Sequence, residues 1–476
     1  MDEGVRYMKG MQPMRSADVT FDADIMRLYD REGPRYTSYP SARQFHDQLP
    51  PDAYRQAAST SRGAVEGSPL SVYVHLPFCF SPCFYCGCNK VVTHQLSRVD
   101  AYVRHLLDEV GRRGAYFDRE RVVQQMHFGG GTPTFLPKKR LIELIDRLDR
   151  DFQLTDDPSR DYSIEIDPRG TDHGALQLLA DLGFNRISLG VQDFDENVQR
   201  AVNRVQPASM VMSVYELARE LGFKSINFDL IYGLPCQTMA TFSDTLDRVI
   251  EMRPDRLAVY GYAHMPKLFK AQRQILASDL PDATARLGLL KLTVDKLCTT
   301  GYVYIGMDHF ALPEDSLAIA RENGTLHRTF QGYTTHADRD LVSFGVSAIG
   351  KIGDLYIQNH KSVQEYEKAI DRGDLPSHQG TRMSADDLIR KDVINQIMCH
   401  GVVDAAAIGG KHGIHFGSYF GKELEQLQDL RADGLVDLTD GRIALTPIGR
   451  LLMRNVAMTF DAYLGADVRP PMSRVI

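Results

Sequence analysis

The chain has 476 residues, of which 43% are hydrophobic and 25% are charged, and its formal net charge is −7. This length can bury a large core and is sufficient for two or three domains. The acidic balance argues against general nucleic-acid binding, which needs a basic face, and no apolar stretch approaches the roughly 20 residues that span a bilayer.

The first 70 residues are interpreted as an N-terminal arm and lead-in. Residues 1–15 are polar and lack the apolar core of a signal peptide. The seven cysteines are an odd number, which argues against a disulfide framework and, with the missing signal, predicts a cytoplasmic protein. Within the arm, Gly33, Pro34 and Pro40 exclude regular structure from segment 33–40, so Arg35 is expected to lie outside the core.

A β-like run at residues 71–78 leads directly into four clustered cysteines. Cys79, Cys83 and Cys86 follow a C-x3-C-x2-C spacing, and Cys88 comes two residues later. A zinc knuckle made from all four is the alternative, but zinc ligands usually come in C-x2-C pairs and the other cysteines form no second pair. Three thiolates on a four-iron cluster leave one iron open, and this spacing, with Tyr85 before the third cysteine, resembles the radical S-adenosylmethionine enzymes.

Seven β-like runs recur between residues 71 and 310, mostly separated by helical patterns such as 139–152 and 241–252. The runs are 71–78, 124–129, 162–167, 186–192, 225–231, 256–263 and 302–307. Regular alternation of strand and helix predicts an α/β fold with a parallel sheet that curls into a full or partial barrel. We expect this barrel domain to span residues 71–365.

Polar side chains alternate with apolar ones along these runs. In the third run Ser163, Glu165 and Asp167 share one face, while Ile164 and Ile166 take the other. A packed barrel centre would be bulky and branched, so the polar inner face predicts a wet or ligand-filled lumen. An antiparallel sheet with one face in water also alternates, but the helical spacers disfavour it.

Three glycines, Gly129, Gly130 and Gly131, follow the second run. Glycines let a ligand approach the backbone closely. Many glycine runs are plain turns, but this one stands at a strand end in the same chain as the cysteine triad. It resembles the segment that binds the methionyl amino group of S-adenosylmethionine in the radical family.

The last part of the chain, residues 366–476, is predicted to be a mostly helical domain. Ser384 is a good N-cap, Asp440-Gly441 signals a hairpin between 435–438 and 442–445, and Thr446-Pro447 opens another helix. Helices followed by a hairpin resemble a winged helix. Its charges are mixed, which makes DNA binding improbable, so a lid or scaffold is expected.

Several segments together resemble the oxygen-independent coproporphyrinogen III oxidases of the radical S-adenosylmethionine superfamily, from about residue 30 to the C-terminus. They are 33–40, 73–79, 86–90, 190–194, 229–235, 306–310, 331–335 and 473–476. The resemblance implies a radical oxidoreductase that decarboxylates two propionates of coproporphyrinogen III to vinyl groups in haem biosynthesis. It also implies a [4Fe-4S] cluster, two S-adenosylmethionine molecules per chain, a reducing protein such as a flavodoxin, and a monomer.

The same resemblance implies a set of site residues. The cluster ligands would be Cys79, Cys83 and Cys86, whereas Cys88 is not a ligand and joins Tyr73 and Arg35 as a candidate catalytic residue. Contacts to the cluster-bound S-adenosylmethionine fall on Tyr73, Gly131, Glu165 and Ile349. Contacts to the second S-adenosylmethionine fall on Tyr85, Thr132, Pro133, Gln192, Arg204, Asp229 and Ala263.

Structural roles are the alternative for several of these residues. Glu165 and Asp229 fit salt bridges inside a barrel, Arg204 fits a helix surface, and Ile349 and Ala263 fit simple packing. At the level of function, the alternatives are a haem carrier and a haem-degrading radical relative.

The substrate implied by the resemblance suggests a role for the arm in binding carboxylates. The substrate carries four carboxylates, which a net acidic protein must meet with local cations, and the planar guanidinium of arginine matches a carboxylate. Arg35 is the candidate from the arm, and segment 33–40 is expected to close over the barrel mouth when substrate binds.

Overall fold

The computed structural model describes residues 19–50, 52–64, 67–337, 339–464 and 474. Within these ranges the strands are β1 Leu70–Leu76, β2 Phe78–Cys79, β3 Val91–Val92, β4 Val123–Gly130, β5 Asp161–Ile166, β6 Arg186–Gln192, β7 Ser225–Tyr232, β8 Arg256–Gly261, β9 Val303–Gly306, β10 His309–Ala311, β11 His327–Thr329, β12 Gly332–Thr334, β13 Leu341–Phe344, β14 Ile349–Ile352, β15 Leu355–Asn359, β16 Ser377–Arg382, β17 Val402–Asp404, β18 Val436–Thr439 and β19 Arg442–Leu445.

The helices of the same ranges are α1 Ala23–Tyr29, α2 Ala53–Ala64, α3 Leu96–Gly114, α4 Lys138–Phe152, α5 His173–Asp181, α6 Glu196–Ala201, α7 Ala208–Glu220, α8 Met239–Met252, α9 Ala283–Thr299, α10 Ser316–Glu322, α11 Val363–Asp371, α12 Ala385–His400, α13 Ala405–His412, α14 Phe416–Tyr419, α15 Gly421–Ala432, α16 Pro447–Leu451 and α17 Met453–Met458. None of the helices in the described part of the chain is long and apolar enough to cross a membrane.

One large sheet of twelve strands forms the centre of the molecule, in the order β16-β15-β14-β13-β1-β4-β5-β6-β7-β8-β10-β9. Its middle, from β13 to β8, is parallel throughout. Helices follow the parallel strands in chain order. The α/β prediction with a parallel barrel-type sheet is therefore confirmed, and six of the seven predicted runs are parallel strands of this sheet.

The seventh predicted run, 302–307, has a different place. It forms β9, but β10 lies between β9 and β8 and pairs antiparallel with both. The chain reverses here because Gly306 and Met307 have positive φ angles of 151° and 54°. The parallel strand that flanks β1 on its other side is β13, a short and wholly buried run that carries no alternating pattern.

Alternation of side chains along each strand explains the polar lumen. β5 alternates between half-buried polar residues and buried Tyr162, Ile164 and Ile166. The apolar side faces the helix layer, where α4 buries Leu141 and Leu148 at helical spacing. Full burial of one such side chain contributes about 1.5–3 kcal/mol, so the outer face supplies the core and leaves the inner face for ligands.

The C-terminal part has the predicted local signals. Ser384 and Asp387 form a capping box at the start of α12, and Thr446 caps α16, which begins at Pro447. The strands β18 and β19 form the predicted hairpin, and β17 adds to it as an antiparallel third strand. The large sheet, however, extends to Arg382 through β16 and so continues past the boundary placed at residue 366.

The N-terminal arm belongs to the core, contrary to the expectation from its irregular sequence. Tyr36 and Tyr39 are 5% and 2% exposed and join the main hydrophobic cluster. The carbonyls of Gly33 and Pro34 accept hydrogen bonds from the buried Arg454 side chain. Buried aromatic side chains and hydrogen bonds from a buried arginine therefore hold segment 33–40 against the core.

Candidate active site

Two adjoining cavities open on the inner face of the parallel sheet. The first, which we call the cysteine cavity, has a volume of about 640 Å³ and is lined by Cys79, Cys83 and Cys86. The second, the Tyr73 cavity, has a volume of about 470 Å³ and is lined by Tyr73 and other residues. The cavities adjoin because both are lined by Cys88, Gly130, Glu165 and Tyr260.

The loop after β1 brings the predicted cluster cysteines to one cavity. All of them are free thiols. Hydrogen-bond donors reach two of the sulfurs: Thr132 Oγ1 lies 3.7 Å from Cys79 Sγ, and Arg204 Nη1 lies 3.5 Å from Cys83 Sγ. The Cys88 backbone N–H donates to Cys86 Sγ at 3.4 Å. Such donors stabilise thiolates, the form that binds iron.

The thiols differ in acidity. A hydrogen bond from the Cys88 thiol and the nearby Lys90 ammonium lower the pKa of Cys86. Burial raises the pKa of Cys79 to about 11, so iron must displace that proton when it binds.

Gly131 is required by packing under the cysteine loop. Its N–H donates to the Leu76 carbonyl at 2.8 Å, and the Thr132 N–H donates to the Phe78 carbonyl at 2.8 Å. A Cβ at Gly131 would lie 2.6 Å from the Phe78 oxygen and 2.7 Å from the Pro77 carbonyl carbon. Ligand approach was the predicted reason for a glycine here, and close contact between two backbones is a second reason.

Glu165 lies where the two cavities join. Its Oε2 accepts the Gly130 N–H at 3.0 Å, and His127 Nε2 lies 3.5 Å from Oε1. Burial raises the pKa of Glu165, but the His127 hydrogen bond and charge and the Gly130 N–H lower it further, so the net pKa lies below its usual value. The side chain is 43% exposed to the cavity, so this anion is available to a ligand.

Tyr73 is held by histidines on both sides. Its hydroxyl lies 3.0 Å from His75 Nδ1, and His75 Nε2 lies 2.9 Å from the Asn89 carbonyl oxygen. Its ring stacks on His127 with centroids 5.9 Å apart. Parallel register places Tyr73 and His127 side by side on neighbouring strands. This network links the cysteine loop, through Asn89, to the carboxylate of Glu165.

Asp229 forms a second acidic position on the inner face. Ser188 Oγ donates to Oδ2 at 2.7 Å, and Asn227 Nδ2 donates to Oδ1 at 2.9 Å. Burial, together with the nearby Glu165 charge, raises the pKa of Asp229 to about 6. No described ion pair involves this carboxylate, so the salt-bridge alternative does not account for it.

Arg204 is buried and lines the cysteine cavity, so it is not a helix surface charge. It lies in the loop after α6, is 7% exposed, and donates to Asp167 Oδ2 at 3.1 Å and to the Gly190 carbonyl at 2.7 Å. Asp167 also binds Arg169, whose Nη2 lies 3.7 Å from Cys83 Sγ. Two guanidiniums therefore lie beside one cysteine sulfur.

The remaining predicted residues divide between the cavities and their surroundings. Tyr85, Thr132 and Gln192 line the cysteine cavity, and Ile349 lines the Tyr73 cavity. Two further predicted residues, Pro133 and Ala263, do not line either cavity. Pro133 is buried in the turn after β4, and Ala263 follows β8 and accepts a hydrogen bond from Gln272 at 3.2 Å.

Arg35 reaches the Tyr73 cavity, but its charge is already paired. Its Nη2 forms an ion pair with Asp308, and its guanidinium lies 5.7 Å from the Tyr260 ring centroid. Cys88 lines both cavities. The arm therefore supplies part of the cavity wall.

Sequence reasoning placed Asp167 on the polar inner face without assigning it to the site, and it did not assign four further residues to the site, namely His127, Arg169, Ser188 and Asn227. The signal was present for all of these except His127, since each stands in or directly after a run with alternating polarity. His127 required the register of β4 beside β1 and β5, because only the pairing puts it between Tyr73 and Ser163.

The donor set fits an iron–sulfur cluster and S-adenosylmethionine. Three free thiols line one cavity, with Arg169 and Arg204 beside the sulfurs. An exposed carboxylate, Glu165, lies at its inner wall. These residues match the soft ligands that iron–sulfur clusters need and the polar groups that orient a cofactor.

Comparisons with known proteins all match the same family. The sequence profile of the radical SAM superfamily matches residues 73–249, and that of the HemN C-terminal domain matches residues 383–452. An oxygen-independent coproporphyrinogen III oxidase of Pseudomonas aeruginosa is 50% identical over 458 residues, which cover 96% of this chain and 99% of the relative. That of Escherichia coli is 45% identical, and the match covers 97% of this chain and 100% of the relative.

A solved structure gives the same result. The structure described as coproporphyrinogen III oxidase (HemN) from Escherichia coli, a radical SAM enzyme, superposes with a TM-score of 0.89 and 44% sequence identity. The superposition covers 94% of this chain and 100% of that one. The likeness therefore includes both the sheet and the C-terminal part.

Proposed function

This chain belongs to the oxygen-independent coproporphyrinogen III oxidases of the radical S-adenosylmethionine superfamily, and on that premise we propose that it converts coproporphyrinogen III to protoporphyrinogen IX in haem biosynthesis. One observation carries the proposal: a cavity lined by three free thiols adjoins, through Glu165 and Cys88, a second cavity of about 470 Å³. The product differs from the substrate by two propionates that have become vinyl groups.

The reaction follows from a cofactor that the residues fit. When bound, the cluster and S-adenosylmethionine supply a 5′-deoxyadenosyl radical that removes a hydrogen atom from the β-carbon of a propionate. The propionate then releases carbon dioxide and passes one electron to an acceptor, which leaves a vinyl group. The protein must hold the reactants in line and exclude water.

Named residues take these roles in the proposal. Cys79, Cys83 and Cys86 hold the cluster, while the buried network around Tyr73 and Glu165 orients the S-adenosylmethionine bound to it. The support is geometric, because Glu165 is fixed by a backbone N–H and by a histidine yet remains exposed to the cavity.

A second S-adenosylmethionine is proposed beside the first. Tyr85, Thr132, Gln192, Arg204 and Asp229 line the same cysteine cavity, and its volume of about 640 Å³ supports more than one ligand group. The reductant is proposed to be a small protein such as a flavodoxin. A cytoplasmic location and a monomeric state stay predictions.

Anaerobic turnover tests the proposal. The reconstituted protein is incubated with coproporphyrinogen III, S-adenosylmethionine and a reductant, and the mass of the tetrapyrrole product is measured by mass spectrometry. The loss of two formic-acid equivalents supports the oxidase. An unchanged tetrapyrrole mass, with the cluster present and S-adenosylmethionine bound, rejects it and favours a haem-binding relative.

A further inference from the structure

Arg328 is a partly buried arginine at the junction of two cavities. It lies in β11 and lines both the Tyr73 cavity and a further cavity of about 560 Å³, which we call the C-terminal cavity because α12 and α13 form one wall. Its Nε and Nη1 atoms are buried and have no hydrogen-bond partner among the described residues. The guanidinium carbon lies 4.6 Å from the centroid of the Tyr333 ring.

An arginine in this state is unusual. Leaving a buried charge without a hydrogen bond costs free energy, and a cation–π contact offsets only part of it. Arg35, which lines the same cavity, has its charge balanced in the usual way by an ion pair with Asp308. His309 supplies no compensating negative charge, because burial and the Arg328 charge lower its pKa to about 3 and keep it neutral. Arg328 is therefore ready to receive an anion.

The C-terminal cavity continues this positive character. Six Lys or Arg side chains and two Asp side chains line it. Both carboxylates are already engaged: Asp392 pairs with Lys411 at 2.7 Å, and Asp404 caps α13. An excess of cations thus faces the cavity.

Two of these cations stand close to the barrel side of the cavity. Lys351 in β14 has no ion pair within the described ranges. Arg339 donates from Nη2 to Gln124 Oε1 at 2.8 Å, while its buried Nη1 has no partner there. A ligand with several carboxylates matches this arrangement better than a single small anion does.

We propose that Arg328 binds a carboxylate of the tetrapyrrole, and that Lys351 and Arg339 in the C-terminal cavity receive further carboxylates of the same molecule. This inference rests on the proposed function and adds the residues that recognise the substrate. The carboxylate on Arg328 belongs to a propionate that is not reacting, because an ion pair to the departing carboxylate would stabilise the ground state and slow its loss.

The test compares the holoenzyme with Arg328→Gln and with a matched surface control, Arg431→Gln, at an exposed position of α15. The KM for coproporphyrinogen III is expected to rise about 10- to 100-fold in Arg328→Gln, as for the loss of a charge-assisted hydrogen bond. Cluster absorbance and S-adenosylmethionine affinity should match the wild type. Arg431→Gln should leave the KM unchanged.

Binding of coproporphyrin III, followed by fluorescence quenching, gives a readout without turnover. Arg328→Gln and Lys351→Gln should each weaken it. Unchanged KM and unchanged porphyrin binding in Arg328→Gln overturn the inference, whereas a wild type that binds no coproporphyrin III and turns over no substrate rejects the proposed function instead.

A second variant keeps the inference testable if Arg328→Gln does not fold. Should Arg328→Gln lose its cluster, Arg328→Lys is measured instead, because lysine keeps the charge but not the planar guanidinium. It should then show a KM several-fold above the wild type, and a wild-type KM for Arg328→Lys overturns the inference.

Discussion

Cys86 and Cys88 lie two residues apart, yet we expect only one of them to hold iron. Serine at Cys79, Cys83 or Cys86 should abolish the visible absorbance of the reconstituted cluster, because each supplies one of three thiolates. Cys88→Ser should keep the absorbance and the iron content, since three thiolates are sufficient and the serine hydroxyl and backbone N–H can replace the two Cys88 contacts to Cys86. Anaerobic reconstitution followed by iron analysis checks this, and a cluster-free Cys88→Ser would show the ligand assignment to be wrong.

Glu165 should contribute to cofactor affinity and not to cluster assembly. Glu165→Gln keeps the shape but removes the charge, so the affinity for S-adenosylmethionine should fall roughly 10-fold or more, as expected for a charge-assisted hydrogen bond. Isothermal titration with the reconstituted protein measures this. Glu143→Gln on α4, which removes a charge far from either cavity wall, is the control, and equal affinities in both variants would return Glu165 to a structural role.

Asp229 should make the stability depend on pH. Because burial raises its pKa from 3.8 to about 6 in the folded chain, the folded state binds this proton more tightly than the unfolded state does. The resulting stability is present below about pH 4 and is lost as the pH rises through 6. Asp229→Asn should therefore gain up to about 3 kcal/mol over the wild type at pH 7.5 and little at pH 4.

Urea unfolding of the cofactor-free protein at both pH values measures this difference. Asp157→Asn provides an exposed comparison. A gain for Asp229→Asn that is equal at pH 4 and pH 7.5 would contradict the assigned cause.

Among the elements, the turn after β4, which packs against the start of the cysteine loop, should tolerate no side chain at Gly131. Gly131→Ala should cost about 1–3 kcal/mol, the usual range for forced overpacking, because its Cβ would meet the Phe78 carbonyl oxygen at 2.6 Å. Gly410→Ala in α13 has nothing within 4 Å of its Cβ and should be neutral or slightly stabilising. Thermal unfolding and cluster retention distinguish the two, and equal behaviour would show that the loop adapts.

Period-two alternation was sufficient to predict the parallel strands around Glu165 and Asp229, because every residue of such a strand faces either helices or lumen. It was not sufficient for β13 or for the place of β9. The first is short and buried on both faces, and the second depends on a reversal at Met307 that creates β10. Local sequence indicates which face of a strand is buried, but it does not indicate which strands pair with each other.

Across the whole molecule, segment 33–40 packs against the C-terminal part of the described chain. Tyr39 is 2% exposed, its hydroxyl accepts the Ala462 N–H at 3.0 Å, and its ring lies 5.9 Å from that of Tyr463. Composition alone predicted an irregular segment correctly but placed it outside the core, because the partners that bury it lie more than 400 residues away.

Tyr39→Ala should consequently lower the free energy of unfolding by about 3–5 kcal/mol, the range for removing a large buried aromatic side chain. Tyr419→Ala, at a position that is 37% exposed, should cost much less. Chemical denaturation of both variants checks this. Equal and small losses would mean that the arm is a separable lid after all.

Removal of hydrogen from a propionate β-carbon of coproporphyrinogen III by a radical can be followed with substrate deuterated at that carbon. The 5′-deoxyadenosine formed during anaerobic turnover should carry deuterium, and vinyl groups should appear in step with it. Unlabelled 5′-deoxyadenosine, formed while the deuterated propionates stay intact, would contradict this mechanism.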